Sequence, residues 1–219
     1  MNEKTQPKDN YKNRYRLAAV LRNLYAEVVT CDAPDEVFLE IAEAAEAFVT
    51  KLENYPRRVR VIADKLEDEI RIIDNRINYG DLIHFSPVSG LANPIAPPLI
   101  IFKEDDNTIG AFVTFSGAYE GGPGLVHGGA IAAAFDELLG ITQSLSGMGG
   151  MTGILKIRYR NPCPLQTELY MKGRIHQIVD RRIVARGRLH HGDVLVADGE
   201  ATFIVLDTDE FRGKCAEQG

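Results

Sequence analysis

Residues Tyr119–Leu145, YEGGPGLVHGGAIAAAFDELLGITQSL, decide how the rest of the chain is organised. The segment opens as a Gly/Pro loop, Gly121-Gly122-Pro123-Gly124, and passes at His127-Gly128-Gly129 into a long apolar helix pattern holding one acid pair, Asp136-Glu137. The first N–H groups of a helix have no partner inside it, and the helix dipole makes that end electropositive. Two adjacent glycines leave those N–H groups unshielded by side chains. A helix start of this kind can hold an oxyanion.

At about 100° per residue, Ile131, Ala134, Phe135 and Leu138 share one face, which is read as the core face. Asp136 lies on a flank with Gly129, Ala132, Ala133 and Gly140, where a slim ligand could lie in a groove. From His127 to Asp136 is about two and a half turns and about 13 Å of rise. The two groups therefore lie on opposite sides of the helix and cannot serve one small site in a single chain. If both are functional, two antiparallel copies across a twofold axis are the simplest arrangement. The expectation is a homodimer with shared sites, or a tetramer built from such dimers.

HGGAIAAAFDELLG resembles the signature of the hotdog-fold acyl-CoA thioesterases of the PaaI type: H-G-G, six residues, then Asp. Downstream, MTGILKIRYRNP (Met151–Pro162) is similar to that family's next strand, which carries a Ser or Thr near its start and ends in a Tyr-x-x-Pro turn. The likeness runs from about Asp81 to Asp207. It implies an α+β hotdog fold, with an antiparallel sheet wrapped around a long central helix, and hydrolysis of an acyl-CoA. It also implies roles by position. Asp136 is the catalytic carboxylate, as base or nucleophile, and Thr152 polarises the attacking water. Gly128 and Gly129 are the candidate oxyanion donors, and His127 fixes the loop or contacts the thioester. Lys156, Arg158 and Arg160, alternating on one strand face, would meet the phosphates of coenzyme A. Where several relatives have an amide side chain before H-G-G, this loop offers Glu120.

Around this centre, residues 1–13 are polar and expected to be disordered. Arg14–Thr30 and Asp35–Leu52 show apolar residues at helical spacing, separated by a break at Cys31-Asp32-Ala33-Pro34 where Asp32 can cap. Arg57–Ile77 is expected to be helical in part. Together residues 1–80 form a helical extension, packing on the main domain or on a dimer mate. Residues 81–207 form the main domain and 208–219 a tail. Strands are expected over Leu99–Lys103, Thr108–Ser116, Gly153–Arg160, Thr167–Val179, Arg182–His190 and Val194–Leu206, the last with small residues that let it curve over the Ala-rich helix.

The 219 residues are 45% hydrophobic and 26% charged with net charge −6, which does not suit a general nucleic-acid binder. Three cysteines, Cys31, Cys163 and Cys215, have no short metal spacing, so no metal or cofactor is expected. No apolar run approaches a membrane span, and the N-terminus lacks a signal-peptide core, so a cytoplasmic protein is expected. No P-loop and no G-x-S-x-G elbow is present. Two rival readings keep the fold. One is a hydratase of the kind with a catalytic His on the central helix, although the helix after Gly129 has no His. The other is a non-catalytic acyl-CoA-binding protein.

Overall fold

The structure, a computed structural model, describes residues 11–57, 71–73, 76–78 and 84–205. It comprises α1 (Lys12–Thr30), α2 (Asp35–Glu53), β1 (Arg71–Ile73), β2 (Arg76–Asn78), β3 (Ile100–Asp105), β4 (Thr108–Thr114), α3 (Gly128–Gln143), β5 (Gly150–Tyr159), β6 (Glu168–Val179), β7 (Arg182–His191) and β8 (Val194–Val205). One antiparallel sheet runs in the order β1-β2-β3-β4-β6-β7-β8-β5. Six long strands wrap the single helix α3, the hotdog fold that the resemblance implies.

Alternation puts Ala111, Val113, Leu169, Met171, Ala185, Leu189, Ala197, Ala201 and Phe203 on the inward side, all essentially buried. Against them α3 lays Ile131, Ala134, Phe135, Leu138 and Leu139, also buried. Each large apolar side chain so buried stabilises the fold by roughly 1.5–3 kcal/mol relative to exposure. Close seating depends on a row of glycines set side by side by strand register, Gly173 against Gly187 and Gly187 against Gly199. A Cβ on Gly199 would lie 2.7 Å from Phe135 Cδ1, and one on Gly187 would lie 3.1 Å from Leu139 Cδ2. The tight connections fall where turn residues predict them, with Asp180 at φ 50° and Gly192 at φ 54°.

The extension differs from expectation in three places. Lys12 and Asn13 already belong to α1, so the disorder expected for residues 1–13 stops short of them; residues 1–10 lie outside the described residues. Asp32 does not cap α2. Pro34 takes the N-cap position with no side-chain cap, and Asp35 and Glu36 complement the dipole instead. Within Arg57–Ile77, the segments Arg71–Ile73 and Arg76–Asn78 form a short antiparallel hairpin, Arg71 opposite Asn78, where a partly helical segment was expected. Their β-branched isoleucines favour a strand over a helix. Residues 58–70, and the tail expected at 208–219, lie outside the described residues.

α1 packs on the main domain. Ala18 is buried, Arg22 Nη1 donates to the Asn93 carbonyl at 3.0 Å, and Tyr15 Oη lies 2.6 Å from His84 Nδ1. α2 has no buried residue in the single chain, and Val37, Leu39, Phe48, Val49 and Leu52 stand exposed along it. No helix among the described residues is long and apolar enough to cross a membrane.

Candidate active site

The loop entering α3 is closed by its own backbone. Gly121 N donates to Leu125 O at 2.9 Å, Leu125 N to Gly122 O at 2.9 Å, and His127 N to Tyr119 O at 2.8 Å. A Cβ on Gly121 would fall 2.7 Å from His127 Cα, so this position admits only glycine. Glu120 Oε1 accepts from Gly124 N at 2.5 Å. The Glu120 carboxylate is thus committed to the loop.

His127 is the N-cap of α3, with its Nδ1 accepting from Gly129 N at 2.9 Å. That bond places the neutral ring's proton on Nε2, which makes the outer nitrogen of this exposed imidazole a donor. It also separates the two glycines. The N–H of Gly129 is engaged by the cap, whereas the N–H of Gly128 has no protein acceptor among the described hydrogen bonds. Gly128 is held from its other side, since Tyr159 Oη donates to its carbonyl at 2.7 Å and a Cβ would sit 3.2 Å from that ring.

One side of α3 away from the core carries Asp136, exposed, with Ala133 exposed and Ala132 and Gly140 half-buried beside it. Thr152 Oγ1, at the start of β5, donates to Asp136 Oδ1 at 2.9 Å. One carboxylate oxygen is thereby oriented, and Oδ2 has no protein donor among the described hydrogen bonds. Of the residues expected to form a site, the structure brings Asp136 together with Thr152, and His127 together with Gly128 and Gly129. Along α3, Gly128 lies eight residues and about 12 Å of rise from Asp136, and His127, nine residues away, faces the opposite way.

Glu137, next to Asp136 on α3, is half-buried. It accepts from the hydroxyls of Ser86 (2.6 Å) and Ser89, and so fastens the Ser86–Gly90 turn to α3 beside the catalytic candidate. Tyr119 likewise donates its hydroxyl to the Ile95 carbonyl, and burial holds its pKa up at about 12, so it remains a donor across the working pH range. Sequence reasoning assigned no role to Tyr159, although the Tyr-x-x-Pro pattern contained it. The serine anchors carry no motif and lie 51 and 48 residues before their partner.

Lys156, Arg158 and Arg160 are not at this site. Leu155, Ile157 and Tyr159 stand opposite the buried residues Ala201, Gly199 and Ala197 and point toward α3, so the alternating cations point to the outer face of the sheet. There Arg160 Nε pairs with Asp198 Oδ2 at 2.5 Å and Arg186 Nε with Glu200 Oε2 at 2.7 Å. These hydrogen bonds hold both carboxyls below the usual carboxylate range.

Residues 123–197, which hold the helix start, Asp136, Thr152 and most of the sheet, match the model of the thioesterase superfamily. Acyl-coenzyme A thioesterase THEM5 of Homo sapiens is 33% identical over 97 residues, 43% of this chain and 39% of that protein. Acyl-coenzyme A thioesterase THEM4 of Bos taurus is 32% identical over 114 residues, 51% of this chain and 47% of that protein. The chain thus spans less than half the length of these curated relatives. The crystal structure of a thioesterase superfamily protein superposes with a TM-score of 0.74 at 25% identity, covering 87% of this chain and 94% of the other. That coverage exceeds residues 84–205, so part of the N-terminal extension shares in the likeness.

Proposed function

We propose that this chain is a thioesterase that hydrolyses an acyl-CoA to the free acid and coenzyme A, in a homodimer whose two sites each draw on both copies. The observation that carries the reading is the Thr152–Asp136 hydrogen bond on a helix flank lined by Gly and Ala. A carboxylate oriented by a hydroxyl, with its second oxygen open, suits a group that takes a proton from water or attacks the thioester carbonyl itself. The open N–H of Gly128 suits the oxyanion that develops on that carbonyl, and one preorganised donor lowers such a barrier by roughly 3–4 kcal/mol. The Nε2–H of His127 is a second donor at the same helix end.

The two-chain arrangement is supported by the offset along α3 and by the state of β5. This ten-residue strand ends the sheet, and its outer edge pairs with no other strand among the described residues. It exposes Met151, Ile154 and Tyr159. An open edge of this length invites pairing with another chain. Antiparallel pairing of β5 with its twofold mate turns the Gly128 end of one α3 toward the Asp136 flank of the other. Coenzyme A phosphates as the ligands of Lys156, Arg158 and Arg160 rest on resemblance alone. These residues lie on the face of the sheet turned away from Asp136.

The test is release of free thiol from a panel of acyl-CoAs of graded length and aromatic character, run with the wild type and with Asp136→Asn. Hydrolysis of at least one member, lost in the variant, supports the reading. Binding without hydrolysis by the wild type turns it into the non-catalytic acyl-CoA-binding alternative.

A further inference from the structure

The outer face of the sheet carries charge in an order that strand register makes explicit. Lys172 stands opposite Arg188, Arg188 opposite Asp198 and Asp198 opposite Arg158. In the next outward row, Arg174 stands opposite Arg186, Arg186 opposite Glu200 and Glu200 opposite Lys156. Each row therefore reads cation, cation, anion, cation, and two successive rows lie about 7 Å apart along the strands. Like charges directly opposite on neighbouring strands destabilise a sheet, and here two such pairs sit side by side. Carboxylates offset one member of each pair, Lys172 by Glu104 at 3.2 Å and Arg186 by Glu200 at 2.7 Å, and leave Arg188 and Arg174 without one. Asp198 pairs with Arg160 and Glu200 with Arg186, while Lys156, Arg158, Arg174 and Arg188 form no ion pair among the described residues. The face is concave, with a volume of about 890 Å³, within the range of a small-molecule site. It lies on a chain whose net charge is −6, so these cations are gathered here against the overall balance.

We propose that this concave outer face is a binding site for a small ligand bearing two or more linked phosphate groups. This goes beyond the thioester reading, since the residues belong to the sheet face turned away from Asp136 and the site does not depend on hydrolysis. Guanidinium groups in paired positions grip phosphate oxygens in bidentate fashion. Two rows about 7 Å apart suit a chain of linked phosphates better than one isolated phosphate. A bound polyanion also removes the repulsion that the empty rows impose on the fold.

The experiment is calorimetric titration of the full chain with inorganic tripolyphosphate at low salt, with orthophosphate as the comparison. Expected are saturable binding at one site per chain, an affinity at least about tenfold above that of orthophosphate, and steep weakening with added salt. Arg158→Gln/Arg188→Gln lowers the affinity by at least about tenfold, whereas Lys103→Gln, in β3 and paired with Asp106, leaves it unchanged. The melting temperature of the double variant without ligand stays level or rises, which a purely structural role for these arginines does not predict. Asp136→Ala binds normally, so failure of the thioesterase reading leaves this result standing. Displacement of tripolyphosphate by ADP identifies a nucleotide diphosphate as the source. Displacement by coenzyme A but not by ADP identifies a ligand that needs the additional phosphate. Absence of saturable binding, equal affinity for orthophosphate, an unchanged affinity in the double variant, or tighter binding of a short RNA with several chains per strand overturns the proposal.

Discussion

On β6, β7 and β8 the inward positions Gly173, Gly187 and Gly199 carry no side chain, while the outward positions on either side carry Lys172, Arg174, Arg186, Arg188, Asp198 and Glu200. The same three strands thus meet a helix with the smallest residue available and meet solvent with some of the largest. On the inner face, contact distance decides. Phe135 and Leu139 fill the space that a Cβ would need, so identity there is set by packing. On the outer face no packing partner constrains the residue type, and charge is arranged in rows that cost stability. Constraint on one face therefore reports the fold, and unforced cost on the other reports binding.

The largest effect is expected where chemistry meets the helix side of the sheet. Asp136→Ala should lower acyl-CoA turnover by at least about a hundredfold. Because Asp136 is exposed, the circular dichroism spectrum and melting temperature should stay near wild type. Near-normal turnover would remove Asp136 from the chemistry. Next comes the glycine row: Gly199→Leu should destabilise the fold by about 1–3 kcal/mol through overpacking against Phe135. Thermal melting reads this directly, and an unchanged midpoint would mean that the helix is not seated as described. Lys172→Leu on the outward side should shift the midpoint far less.

A smaller change is expected for Thr152→Val, which removes the hydroxyl that donates to Asp136. Losing a hydrogen bond to a charged group costs about 1.5 kcal/mol, or about tenfold in kcat. Thr152→Ser should restore the rate, which a simple packing role would not predict.

The smallest effect belongs to the outer carboxylates. Asp198 is held below the usual range first by its hydrogen bond from Arg160, and Glu200 first by its hydrogen bond from Arg186. A lowered carboxyl pKa contributes stability that is present above the unfolded value, near 4, and is lost as pH falls through the folded value. Asp198→Asn should therefore lower the melting temperature slightly above about pH 4 and flatten its fall below that pH.

Much of the inner face was legible in the sequence, because helical and strand periods are local. Ile131, Ala134, Phe135 and Leu138 could be assigned to the core from spacing alone, and all are buried. The Asp136 flank followed from the same wheel. The glycine row could not be read, since its members come from three strands and meet only through register. The hydrogen bond from Gly129 N to His127 Nδ1 was equally hidden, because the motif named both glycines without distinguishing them. The outer position of Lys156, Arg158 and Arg160 was available from their alternation with Leu155, Ile157 and Tyr159. Resemblance to coenzyme A binding drew attention away from which face that alternation implies. Ser86 and Ser89 on Glu137 gave no local signal at all.

The central claim is that each site joins the helix start of one copy to the carboxylate of another, and subunit mixing tests it most directly. Gly128→Val places bulk against Tyr159 at the open N–H and should inactivate without touching Asp136. Asp136→Ala chains, inactive for the opposite reason, are mixed with Gly128→Val chains carrying a different tag, under conditions that allow exchange. Random pairing gives one intact site in each mixed dimer, so thiol release should recover to about a quarter of wild-type specific activity. If both tags co-purify in mixed dimers and thiol release stays at the level of the separate variants, the shared site is contradicted.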